Sequence, residues 1–454
     1  MKTIAKILVV AALMGVTTSA FAQNGPRGQL KVGASKIDVT ADPASLPKTS
    51  YGILDSQNVR VILFTNGSET AGFINVDGNF PGQTAKEINA RAEKEFGIKA
   101  GNILYNGTHC HSVYTVRGDE FTERVWKAVK EAYAKMVPAK VGFGNGVAYL
   151  NVKRDLFDAE RGTWWEGPDY DGKSDKTVSV IYFESMDGKP LATYYNYAMH
   201  AVITGQLDMT TQDFPGKSEA YIESKFGEDF VAMFSSGAAG DQNPLYFQQT
   251  FDLRDIRIAE YAKRGEDISN KMPPGGVGLD RNNPEVARLM NEQKQMAESY
   301  GQLLGEEVKY VIMMMRRFEN NVTINCQRSY VEVPGRKLLK NEGRAGYQGQ
   351  YEDGDPIQIG LALIMLDDIP VCGVAGEVYN PIAIRLKRES PYARTFMVTV
   401  CDGIMPKPSF GGYIPDDESY GMEVFEVLGS RYKQGYAESG IVNGLLDMIH
   451  AATH

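Results

Sequence analysis

Three observations predict an α/β fold, most simply a single large mixed α/β domain. Strand-like apolar runs alternate with stretches of helical periodicity along the chain. Polar clusters repeatedly follow those runs, which is where open α/β sheets place their sites. At 454 residues, with 43% hydrophobic and 23% charged residues, the chain has a globular composition. Its length is enough to bury roughly three quarters of the unfolded surface.

The elements follow in order. Lys2 and Lys6 precede an apolar run over 7–14, and Ala20-Phe21-Ala22 offers the small residues of a signal-peptidase site. That run is too short to span a bilayer, and no later stretch approaches ~18 apolar residues. Residues 1–22 therefore read as a signal peptide, and 23–454 as an exported domain, periplasmic or secreted. Strands at 59–64 and 71–76 flank the Asn66-Gly67 turn. Helical periodicity over 84–96 stops at Gly97. A short strand at 102–106 runs into Gly107-Thr108-His109-Cys110-His111-Ser112, and a helix follows from about 119 to 136. Strands at 178–183 and 191–197 flank Asp187-Gly188, and the second leads to His200. A helix at 218–226 and a strand at 230–234 enter the loop 235–241. Pro, Gly and Asn mark 271–283 as a surface excursion before a long helix from about 284 to 317. Strands near 321–334, 357–366 and 394–400 and a helix from about 439 to 451 complete the chain, without internal repeats.

The balance of 48 basic and 57 acidic residues gives −9 and contains no basic run, which argues against a nucleic-acid partner. Cys110, Cys326, Cys372 and Cys401 are widely spaced and form neither a disulfide framework nor a zinc-finger pattern; buried free thiols are expected.

Of five histidines, His450 and His454 lie in the C-terminal tail, whereas His109, His111 and His200 all follow strand-like runs. In an extended H-x-H segment both imidazoles address one point. Neutral imidazole suits zinc, and a catalytic zinc needs further protein ligands. Asp213, Asp241 and Glu377, at loop positions, are the carboxylate candidates; taken alone, each also reads as a cap or turn residue.

These motifs together resemble the N-terminal catalytic domain of the neutral, non-lysosomal ceramidases, zinc amidases that split the amide of N-acyl sphingosine. Val32 to Thr40 is similar to the family's G-x-x-x-x-D-(V/I)-T opening, and Gly107 to Ser112 to its T-H-T-H-S-G motif. Asn151 to Asp155 with Asp175 to Val178 resembles N-R-S…D-K-x-(M/L). Asn196 to His200 resembles the second histidine motif, Gln212 to Gly216 the D-N-K-G segment, and Gly373 to Glu377 the glycine-glutamate loop. Gly412 to Pro415 with Glu418 and Tyr420 looks like Y-(V/I)-T-T-x-E-E-Y. The resemblance implies a neutral-ceramidase-type domain with zinc held by His109, His200, Glu377 and Tyr413; Phe410 is the alternative position for the tyrosine and cannot bind metal. It places His111 beside the metal, where it polarises a substrate oxygen or moves a proton, and puts Arg154, Asp241 and Tyr420 among substrate-binding positions. Two departures stand out: Asn243 occupies the place of the family's serine nucleophile, and the chain leaves no room for the family's C-terminal immunoglobulin-like domain.

The expected activity is therefore hydrolysis of an amide or ester by metal-activated water rather than ceramidase action. His111 or Asp213 serves as general base, and Asn243 as oxyanion donor. The alternative is a zinc-dependent lyase or other glycan-active enzyme using Trp164, Trp165, Tyr170 and Tyr246. A further alternative is an inactive ligand-binding relative. The substrate is a small molecule, lipid-like or glycan.

Overall fold

A computed structural model describes residues 25–271, 278–402 and 412–454. The expected signal peptide, residues 272–277 of the expected 271–283 excursion and Phe410 lie outside the described residues.

The hairpin expected around Asn66-Gly67 forms from Asn58–Thr65 and Thr70–Val76, paired antiparallel. Its first strand alternates strictly. Val59, Val61 and Leu63 face one core cluster, and Ile62 and Phe64 face another. Period-two side chains thus bury both faces of the sheet at once. Among the described residues this sheet has ten strands, running from Val231–Ser236 at one end through Pro190–Tyr197 and Thr177–Ser185 to Ile103–Gly107 and Cys401–Asp402 at the other. Most pairings are antiparallel, but the strands carrying the histidine motifs each have a parallel neighbour: Ile103–Gly107 beside Thr70–Val76, and Pro190–Tyr197 beside Val231–Ser236.

A four-stranded sheet, Ile324–Leu338, Tyr351–Leu366, Ile369–Val374 and Phe396–Val398, stacks on one face. Ile364, Val371 and Phe396 share a cluster with Phe73, Ile181 and Tyr194, and this shared core is the interface between the two sheets. Helices Gly82–Phe96 and Gly118–Ala134 cover the outer face of the first sheet at one end. Asp213–Phe226 and Pro284–Met314 cover it at the other. Ala437–Thr453 and Asn380–Glu389 cover the second sheet. The α/β prediction holds, and the layering is helix, sheet, sheet, helix.

Two of the helix ends follow from local chemistry. Gly97 ends its helix at φ 69°, a left-handed value that costs glycine least. The Asn283 side chain caps the long helix by accepting from Glu285 N, with Pro284 at its first position. His450, expected in a tail, lies in the last turn of the C-terminal helix. All four cysteines are free, and among the described residues no helix is long and apolar enough to cross a membrane.

Candidate active site at the seam of two sheets

The chemistry-bearing loops leave the strand ends where the two sheets meet. Gly107 closes its strand against Gly78: a Cβ at position 107 would stand 2.0 Å from Gly78 O. That close approach lets His109 N donate to Gly78 O at 3.0 Å and brings Asn79 beside the imidazole. His109 itself takes φ 59°, a strained value for a residue with a Cβ and one that concentrates at functional sites. His200 follows Pro190–Tyr197 and is 1% exposed. The second sheet contributes Glu377, just after Ile369–Val374, which registers in parallel with Tyr413. Gly240 lets the loop after Val231–Ser236 press on this pair, since a Cβ there would lie 2.7 Å from Glu377 O.

The tautomers can be read from the partners. His200 Nδ1 donates to Ala239 O at 2.5 Å, and a carbonyl can only accept, so the proton is on Nδ1. His109 Nδ1 lies 2.9 Å from Asn79 Oδ1 and carries its proton for the same reason. In their neutral forms both rings then turn Nε2 lone pairs toward Glu377 Oε2, at 3.1 Å from His109 and 3.3 Å from His200. Three acceptors facing one another form the donor set of a cation. Ligand atoms about 2.1 Å from a tetrahedral ion stand roughly 3.4 Å apart, close to the spacing found. His111 adds a third imidazole: nitrogens of His109, His111 and His200 lie within 4.8 Å of one another, an arrangement able to hold a metal.

Electrostatics agrees with neutral rings. Burial, with Arg154 nearby, lowers His200 to about 4. Part of His111 meets solvent, but the surrounding protein desolvates the ring, and His109 and His200 lower it further, to about 3.

Arg154 joins this centre to a second polar layer. Its Nη2 donates to Tyr413 Oη at 3.2 Å and to Gly240 O at 2.7 Å. Nη1 donates to Asn243 Oδ1 at 3.2 Å, and Nε faces Glu426 Oε1 at 2.7 Å. Burial opposes its charge, but Glu426 and Tyr413 keep it firmly cationic. Asn243 Nδ2 donates in turn to Glu166 Oε1 at 3.2 Å, and Glu166 pairs with Arg344.

His109, His111, His200, Glu377, Tyr413, Arg154 and Asn243 are thus linked in one neighbourhood, whereas three other expected residues are placed elsewhere. Asp213 is fully buried and clasps its own loop: Oδ2 accepts from Thr204 N at 2.7 Å and from its hydroxyl, and Oδ1 from Phe214 N at 2.6 Å. It has no position as a base for the histidine cluster. Asp241 is also fully buried, accepting from Asn380 N at 2.8 Å with Lys153 at 3.6 Å, so it holds its loop against the helix Asn380–Glu389 and lies out of reach of solvent. Tyr420 packs its ring under Arg336. Ser235 and Ser236, expected at the start of the loop 235–241, are buried and belong to the strand Val231–Ser236, with the Ser235 hydroxyl donating to Tyr195 O at 3.0 Å. Asn79, Glu166 and Glu426 were not apparent in the sequence. Asp77-Gly78-Asn79 reads as a plain turn, and its only signal was its position directly after a strand.

A helix–sheet–sheet–helix protein with an imidazole cluster at the seam is the class that fold and site define. Within that class the chain is neutral-ceramidase-like. It is 23% identical over 257 residues to neutral ceramidase B of Dictyostelium discoideum and 21% identical over 276 residues to the neutral ceramidase of Drosophila melanogaster. Those matches take in 47% and 52% of this chain but only 35% and 38% of the two relatives. The fold extends much further. The crystal structure of neutral ceramidase from Pseudomonas aeruginosa superposes with a TM-score of 0.66 over 94% of this chain and 74% of that one, at 14% identity. A ceramidase structure complexed with C2 gives 0.67 over 93% and 75%, also at 14% identity. No family model matches the chain.

Proposed function

We propose that this chain is an exported zinc-dependent hydrolase that cleaves an amide or ester other than that of ceramide. The supporting observation is the convergence of His109 Nε2, His200 Nε2 and Glu377 Oε2 with both Nδ1 protons committed elsewhere. Tyr413, registered beside Glu377, completes the ligand set. A zinc ion held there would supply Lewis acidity for the substrate carbonyl and make water nucleophilic near neutral pH. The remaining steps belong to the chain itself. His111, whose ring centroid lies 4.8 Å from that of His109 and which alone of the three imidazoles meets solvent, accepts a hydrogen bond from the attacking water and orients it. Arg154 orients Tyr413 and holds Asn243 by its oxygen, leaving the second Nδ2 proton of Asn243 to donate to a developing oxyanion. An amide side chain in place of a hydroxyl cannot attack a carbonyl, so turnover proceeds without an acyl-enzyme.

The test is elemental analysis of the purified mature protein. About one zinc per chain is expected, lost in both His109→Ala and His200→Ala. Protein that stays metal-free after zinc is offered would sink the proposal.

A second reading, a lyase acting on an acidic glycan, is favoured by the exposed Tyr170 and Tyr246 beside a pocket shared with Arg154. An unsaturated product absorbing in the ultraviolet would identify it.

A further inference from the structure

Arg154 and Asn243 have a second side. They also line a cavity of about 210 Å³, walled further by Phe247 and Phe251 and flanked by Tyr170 and Tyr246. Both tyrosines are open to solvent, Tyr170 at 72% and Tyr246 at 65%, and both stand at this one pocket. Neither packs into a core cluster.

Size limits the occupant. The cavity holds about seven waters' worth of volume, below the roughly 300–1,000 Å³ that drug-sized ligands occupy. One six-membered ring fits; a pair of long alkyl chains does not. Chemistry narrows it further. The wall carries the exposed amide of Gln248 and the half-buried amide of Gln249, groups that lose water at a cost unless they find new partners, while Arg154 and Asn243 behind them are already bonded within the protein. A short acyl chain would fill the apolar side and leave those groups unpaired. A sugar ring satisfies both sides, with apolar C–H faces for the tyrosines and hydroxyls for the amides.

We propose that this pocket is a subsite for a single pyranose ring, so that the substrate of the neighbouring centre is a saccharide conjugate. The proposal rests on reading His109, His200 and Glu377 as the reaction centre, because Arg154 links the two places.

The experiment is a calorimetric titration of the full chain with methyl glucoside, with glucuronate and with hexanoate. The wild type is compared with Tyr170→Ala, Tyr246→Ala, Tyr246→Phe and His109→Ala, each checked for an unchanged melting temperature. Saturable binding of at least one sugar is expected, weakened about tenfold in each tyrosine-to-alanine variant. Tyr246→Phe should bind like the wild type, since the ring face is the contact. His109→Ala should also still bind sugar, so a failed metal centre and a failed subsite give different results. Binding of hexanoate alone, binding of no probe, or sugar binding untouched by both alanine variants overturns the proposal.

Discussion

Asn79 Oδ1 accepts from His109 Nδ1 at 2.9 Å, and at His200 the main-chain oxygen of Ala239 has the same role. Each fixes a tautomer and aims a lone pair. Only the first can be removed by mutation. Asn79→Ala is expected to weaken zinc binding about 10- to 100-fold, read by competition against a chelator, while Asn79→Asp retains it; equal affinities in all three proteins would leave Asn79 without this function. Asn243→Ala should lower kcat by roughly 10²- to 10³-fold with a smaller change in KM, the pattern of a group that acts on the transition state. An unchanged kcat would reduce Asn243 to a structural link between Arg154 and Glu166. At this scale the sequence was readable where the chemistry is rare. Histidines are few, and three of them stand behind strands. It was unreadable where common residues do uncommon work. Asp213 and Asp241 have the identity and loop position of ligands, but the first is held by its own loop and the second by Asn380 N and Lys153, a fact that only the folded chain contains.

The strand Val137–Val147 carries Gly142, Gly144 and Gly146 and has no strand-like signature, because glycine is depleted in sheets. Its neighbours explain the composition. A Cβ at Gly144 would stand 2.7 Å from Val311 of the long helix, and one at Gly146 2.6 Å from the same side chain. The glycines let helix and sheet approach, so tertiary packing overrides local preference here. Gly144→Ala should therefore cost about 1–3 kcal/mol of stability, measured as a lowered denaturant midpoint. A neutral result would mean that the helix can move aside. The helix-stop glycine, the Asn-Gly hairpin and the capped Pro284 were all legible, because in those cases local chemistry and the final fold agree.

Across the whole molecule, the two sheets meet through residues far apart in sequence, such as Phe73 and Phe396, which share one core. Periodicity shows which residues turn inward, but not which sheet they turn toward, so the two-sheet sandwich was not recoverable from the pattern. Acid stability also belongs to this scale. Burial would raise Glu166, but Arg344, Arg154 and Arg254 hold it at about 2, below the ordinary 4.5. A depressed carboxyl contributes stability that is complete above about pH 4.5 and lost as the pH falls toward 2. The amount is on the order of 3 kcal/mol. Glu166→Gln should flatten that part of the curve of unfolding free energy against pH; an unaltered acid limb would contradict it. The seam has one more consequence, in time rather than space. His109 and Glu377 are separated by 268 residues, so closing the site is a long-range event whose entropy must be overcome before any ion can be held by both. A growing chain carries its histidines long before the carboxylate that completes them exists. Under the proposed function, metal capture would thus be a late step of maturation, and once made it would tie the first half of the chain to the last.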